Sequence, residues 1–115
     1  MNATCANVLP EIVDRLKVLR LHRVILFGSN AGDAAREDSD IDLVVVLDTR
    51  EVPGTYDQKI ELKLQVRATI GDLSLRVPID LLVYTRPEYD ALLAQRSSFS
   101  RALTEKGRVL YAKAG

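Results

Sequence analysis

The chain has 115 residues, 47% of them hydrophobic and 28% charged, which fits one globular domain with one modest core and leaves no room for a separate substrate-recognition domain. Sixteen basic residues balance 16 acidic ones, and no basic stripe stands out, so nucleic acid is not expected as the main substrate. A single cysteine, Cys5, excludes an internal disulfide and fits a reducing cytoplasm, and no apolar stretch approaches a membrane span or a secretory leader.

Residues 7–20 carry Val8, Leu9, Ile12, Val13, Leu16 and Leu19 at steps of three and four, which predicts an amphipathic helix. Pro10 fits such a helix only near its first turn, and Arg20, His22 and Arg23 fall near its C-terminal end, where positive charge suits the dipole. A strand follows over 23–28, then a loop with a helical turn over 29–37. A second strand, about 40–48, is an almost continuous apolar run, so both of its faces need cover. The segment 55–70 alternates in part at Ile60, Leu62, Leu64 and Val66, but its intervening residues are good helix formers and favour a helix. A third strand is expected over 77–84, helices over 87–95 and about 97–106, the latter ending at Gly107, and the final Val109-Leu110-Tyr111 as a short edge strand or a core contact. This order gives an α/β fold: a single small domain with a mixed sheet flanked by helices.

The chemistry is concentrated in residues 24–47. An apolar run ends in Gly28-Ser29, ten residues intervene, and Asp40-Ile41-Asp42 opens the second apolar run. Side chains at i and i+2 of a strand share a face, so Asp40 and Asp42 project together. Their mutual repulsion is relieved by a hard cation that takes carboxylate and phosphate oxygens. Gly28 allows a sharp bend and a close backbone approach to an anion. Ser29 offers a hydroxyl that can cap a helix start, a place that favours phosphate. Asp80, alternating with Ile79 and Leu81, meets the same face if the third strand lies beside the second. A charge in that apolar setting needs a metal or an ion-pair partner. Glu37 and Asp38 read as solvated loop charges, Ser39 as a strand leader, and His22 as a surface or helix-end residue.

The pattern Gly-Ser, ten residues, Asp-x-Asp between two apolar strands resembles the DNA polymerase β-like nucleotidyltransferases. With its brevity, leading helix, acidic strand 77–85 and closing segment 99–113, the chain is similar to the minimal nucleotidyltransferases, the MNT group. The resemblance implies two Mg2+ ions held by Asp40, Asp42 and Asp80. It also implies a triphosphate, ATP as the expected substrate, cradled at Gly28 and Ser29. The reaction it implies is transfer of a nucleoside monophosphate to a hydroxyl, with release of pyrophosphate. For the MNT group it implies a HEPN-domain toxin as partner and a tyrosine of that toxin as acceptor, so that the chain acts as an antitoxin. One departure stands out. Family members often read Gly-Ser-x-Ala-Arg-Gly, whereas here Gly32 and Asp33 occupy the Arg and Gly positions. The change removes a charge-assisted phosphate contact, for which Arg36 is the nearest substitute. Three function classes therefore stand: a transferase acting on the HEPN partner, a binding module that neutralises that partner by contact alone, and a small-molecule nucleotidyltransferase. The last normally needs a further domain or a homo-oligomer.

Overall fold

Two apolar runs, rich in β-branched residues, form the centre of the sheet. The computed structural model describes residues 3–27 and 41–113, residues 3–7 by their backbone alone. Strand β1 (Leu21–Phe27) pairs antiparallel with β2 (Ile41–Leu47). Strand β3 (Ile79–Thr85) lies parallel to β2 on one side, and β4 (Arg108–Ala112) antiparallel to β1 on the other. The order β3-β2-β1-β4 makes a mixed four-stranded sheet with β3 and β4 at its edges.

Helices cover both faces, as the continuous apolar run of β2 requires. Ile41, Leu43 and Val45 face one layer, where they pack with Ile12 and Leu16 of α1 (Ala3–Leu16) and Val66 of α2 (Tyr56–Thr69). Val44 and Val46 face the other layer, with Tyr89 of α3 (Arg86–Ala94) and Leu103 of α4 (Ser98–Lys106). Burying each such side chain is worth roughly 1.5–3 kcal/mol, so the two faces together hold the sheet between its helical layers.

The local signals explain most boundaries. Thr55 accepts a hydrogen bond from the Gln58 N–H at the start of α2, and Ser97 accepts one from the Ser100 N–H at the start of α4, each satisfying a donor the helix leaves orphaned. Thr85 and Glu88 form a capping box at α3. The expected helix over 55–70 is present, and the closing apolar triplet does form an edge strand. A 3-10 turn at Leu73–Leu75, not foreseen, drops Leu73 into the core.

The first helix differs from its prediction. It runs Ala3–Leu16 rather than 7–20, and Pro10 stands inside it. Arg20 lies beyond its end, while His22 and Arg23 belong to β1. The chain leaves the helix early because Leu19 and Leu21 are needed on the core face just before and within β1. Arg15 instead supplies the basic residue of the last turn, and its two terminal nitrogens donate to the Asp72 carboxylate at 2.6 and 2.9 Å. At the far end of β2, Asp48 accepts from Arg86 at 3.2 Å and from Lys113, tying α3 and the segment after β4 to the sheet. The hydrogen bond from Lys113, then that from Arg86, hold the Asp48 carboxyl below the usual range against the opposing effect of burial.

Candidate active site

Strand alternation decides where the acidic side chains go. Ile41 and Leu43 point into the α1/α2 layer, so Asp42 between them points to the α3/α4 side. Ile79 and Leu81 turn into the same α1/α2 layer, so Asp80 shares the face of Asp42. In the parallel β2–β3 ladder Asp42 stands in register with Asp80. The two carboxylates are thus neighbours across adjacent strands, whose spacing is about 4.8 Å. Asp42 is half-buried and Asp80 is exposed, so the pair opens to solvent on the Asp80 side.

Phe27 continues this row on β1, opposite Asp42. Its ring meets Phe99 of α4 edge-on, with centroids 5.5 Å apart and planes at 81°. The pair makes an apolar wall on one flank of Asp42. Sequence reading missed this feature, although the register signal was present: Phe27 immediately precedes Gly28, at the end of the same run.

Beyond Asp80 along β3, Leu82 and Tyr84 point the same way. Lys59 of α2 reaches round the sheet edge, donating to the Val83 carbonyl at 2.8 Å and to Glu88 Oε2 at 2.7 Å. Its ammonium lies 4.9 Å from the centroid of the Tyr84 ring. Burial alone would raise the Glu88 carboxyl, but hydrogen bonds from Lys59 and from Thr85 carry it below its ordinary value. Burial, and then the Glu88 charge, push the Tyr84 phenol up.

The structure brings together two of the three carboxylates singled out in the sequence. Asp40, Gly28, Ser29 and the loop residues Gly32, Asp33, Arg36, Glu37, Asp38 and Ser39 lie outside the described residues, as does the Cys5 side chain. Among the described residues Asp80 makes no ion pair, and no cluster of three or more His, Cys, Asp or Glu side chains suited to a metal is present. Asp42 and Asp80 are a pair of hard oxygen donors on one face. Magnesium takes one or two carboxylates together with substrate phosphates, so these residues fit that ion. His22 stands in β1, away from the row of Phe27, Asp42 and Asp80. No helix among the described residues is long and apolar enough to cross a membrane.

The chain resembles known proteins over most of its length. A protein of Methanocaldococcus jannaschii, named as a candidate protein adenylyltransferase, is 32% identical over 108 residues, spanning 91% of this chain and 96% of its own. A crystal structure of a toxin–antitoxin with AMP-PNP matches 91% of this chain and 73% of its own, with 19% identity and a TM-score of 0.55. A candidate nucleotidyltransferase from Sulfolobus solfataricus matches 96% of this chain and 85% of its own, with 20% identity and a TM-score of 0.62. These two share the fold. The sequence profile of the polymerase beta nucleotidyltransferases matches residues 11–114, and the chain belongs to that family.

Proposed function

We propose that the protein transfers AMP from ATP to a hydroxyl of a partner protein, with a tyrosine of a HEPN-domain toxin as acceptor, and so serves as the antitoxin of a cytoplasmic pair. The observation that carries this reading is the register of Asp42 with Asp80 on one sheet face. Two acids placed side by side on adjacent strands repel each other, and a fold keeps such a pair when its charge is used. The name of the Methanocaldococcus relative supports a protein acceptor, and the toxin–antitoxin setting of a structural neighbour with AMP-PNP supports a toxin partner and an adenine nucleotide.

In this reading Asp40, Asp42 and Asp80 hold Mg2+, which when bound neutralises triphosphate charge and makes the attacking hydroxyl more acidic. Gly28 and Ser29 cradle the β- and γ-phosphates. Asp80, on the exposed side of the pair, receives the proton of the attacking hydroxyl. The hydroxyl oxygen bonds to the α-phosphorus, the bond from that phosphorus to the bridging oxygen breaks, and pyrophosphate leaves with the electron pair. The Phe27–Phe99 wall keeps water from one flank of Asp42.

The test is incubation with ATP labelled at the α-phosphate, Mg2+ and the product of the neighbouring gene, the proposed HEPN protein. Label is expected on the HEPN protein with the parent and at background with Asp42→Ala. A neutralised toxin that carries no label would replace this reading with contact-only inhibition, the function left open by Gly32 and Asp33 in the phosphate loop.

A further inference from the structure

The open edge of β3 lies directly beside Asp80, and it is unevenly covered. In a parallel ladder alternate residues send their N–H and C=O groups to the neighbouring strand and the rest send them outward. Ile41 N–H donates to the Pro78 carbonyl. The even-numbered residues of β3 therefore bond towards β2, and Ile79, Leu81 and Val83 direct their backbone groups outward. The outward carbonyl of Val83 accepts from Lys59, which closes the edge at that level. Among the described residues the outward groups of Ile79 and Leu81 bond to no other backbone. An unpaired edge of this kind is a template for an incoming strand.

Side chains around the edge are equally unfinished. Tyr56, Ile60 and Leu64 lie at steps of four on α2 and are 78%, 38% and 59% exposed, and Leu82 on β3 is 38% exposed. Tyr56, Ile60 and Leu82 line a groove of about 270 Å³ between α2 and the edge. Lys59 is occupied by Glu88, whereas Lys63, on the same groove, makes no ion pair among the described residues. The groove thus offers apolar surface and one basic group.

We propose that the acceptor docks as an extended peptide segment that adds a strand to β3 at Ile79–Leu81 and presents its hydroxyl opposite Asp80. This rests on the reading of the site as a protein nucleotidyltransferase. Pairing continues the row Phe27, Asp42, Asp80 by one strand. The side chain in register with Asp80 then sits on the carboxylate face, about 4.8 Å further on. Residues on either side of it in the segment turn towards Ile60 and Leu64, and an acidic residue among them meets Lys63. The substrate class is therefore an extended hydroxyl-bearing segment with apolar neighbours and a nearby acid. A folded helix or a small molecule would leave the edge groups unpaired.

The test titrates the full-length, isotope-labelled protein, with a non-hydrolysable ATP analogue and Mg2+, against a blocked octapeptide. The octapeptide alternates threonine and valine around a central tyrosine and has one glutamate on the valine side. Chemical-shift changes are expected at the Ile79 and Leu81 amides. With labelled ATP in place of the analogue, label is expected on the tyrosine. A peptide N-methylated at the amides facing the edge should lose the shifts and at least about tenfold of the transfer, because it loses its hydrogen bonds to the edge. Ile60→Lys should weaken the peptide while leaving nucleotide binding unchanged. Equal labelling of both peptides overturns edge docking and leaves the transferase reading standing. Shifts at the two amides without label keep the docking surface and count against the reaction. No shift up to millimolar peptide overturns the proposal, as does concentration-dependent protection of these amides in the protein alone, which would assign the edge to a second copy of the chain.

Discussion

His22 illustrates how one side chain takes its behaviour from its neighbours. It lies in β1, and burial, then the charges of Arg86 and Arg23, push its imidazole below the ordinary histidine value, while Asp48 and Asp90 act weakly the other way. The Nε of Arg23 is buried and has no hydrogen-bond partner among the described residues. Protonating His22 adds a third cation to this corner. A lowered pKa in the folded state means that the unfolded chain binds the proton more readily, so stability rises with pH. The contribution is fully present above the unfolded value of about 6.5 and is lost as pH falls from there through the lowered folded value. Thermal unfolding between pH 7 and pH 5 should therefore show a falling Tm in the parent and a flatter profile in His22→Gln. Parallel profiles for the two proteins would remove His22 from the account. The sequence pattern starts this strand at residue 23 and leaves His22 at the helix end; β1 begins at Leu21 and takes in His22, an extension that rests on the pairing of Leu21 with Leu47 of β2.

At the scale of elements, the joint between α4 and β4 holds the most closely approached glycine among the described residues, Gly107. Gly107 ends α4 with ordinary extended angles, φ −69° and ψ 147°, so conformation alone does not demand glycine. Space does. A Cβ there would lie 2.3 Å from the Leu103 carbonyl oxygen and 2.8 Å from Ile25 Cγ2, one a backbone atom and the other part of the core under α4. Gly107→Ala should cost roughly 2–3 kcal/mol, as overpacking does, lowering Tm by on the order of 10 °C for a domain of this size. A Tm within a degree or two of the parent would show that the α4–β4 joint yields without cost. The glycine after a helical pattern was legible as a stop signal; the caps at Thr55 and Ser97 emerged only with the structure. The helix over 55–70 was legible from its helix formers, against the partial alternation at Ile60, Leu62, Leu64 and Val66, but the exposure of Ile60 and Leu64 was not. Sequence period reports which residues share a face; it does not report whether that face is covered.

For the whole molecule, the same limit separates what the motif revealed from what only the topology could. Asp42 and Asp80 stood out in the sequence as acids in apolar runs, and their parity with Ile41 and Ile79 was readable. That they become direct neighbours required β3 to enter parallel to β2 with Asp80 opposite Asp42; the crossover through α2 accounts for the parallel direction, and no local pattern sets the register. The sheet therefore holds two acids side by side at a solvent-facing end, an arrangement that favours activity over stability. Asp80→Asn tests this directly. Removing one charge of an in-register pair relieves cross-strand repulsion, so the variant's Tm without divalent ions should equal or exceed that of the parent. Saturating Mg2+ with ATP analogue should raise the parent's Tm through binding to the folded state and raise that of Asp80→Asn much less. Transfer to a protein acceptor should fall on the order of 10²–10⁴-fold, the range for loss of a general base. Measured together, these separate the roles: a drop in Tm that parallels the drop in activity would make Asp80 a structural acid of the sheet edge, whereas retained stability with lost ligand response and lost transfer places it in the chemistry.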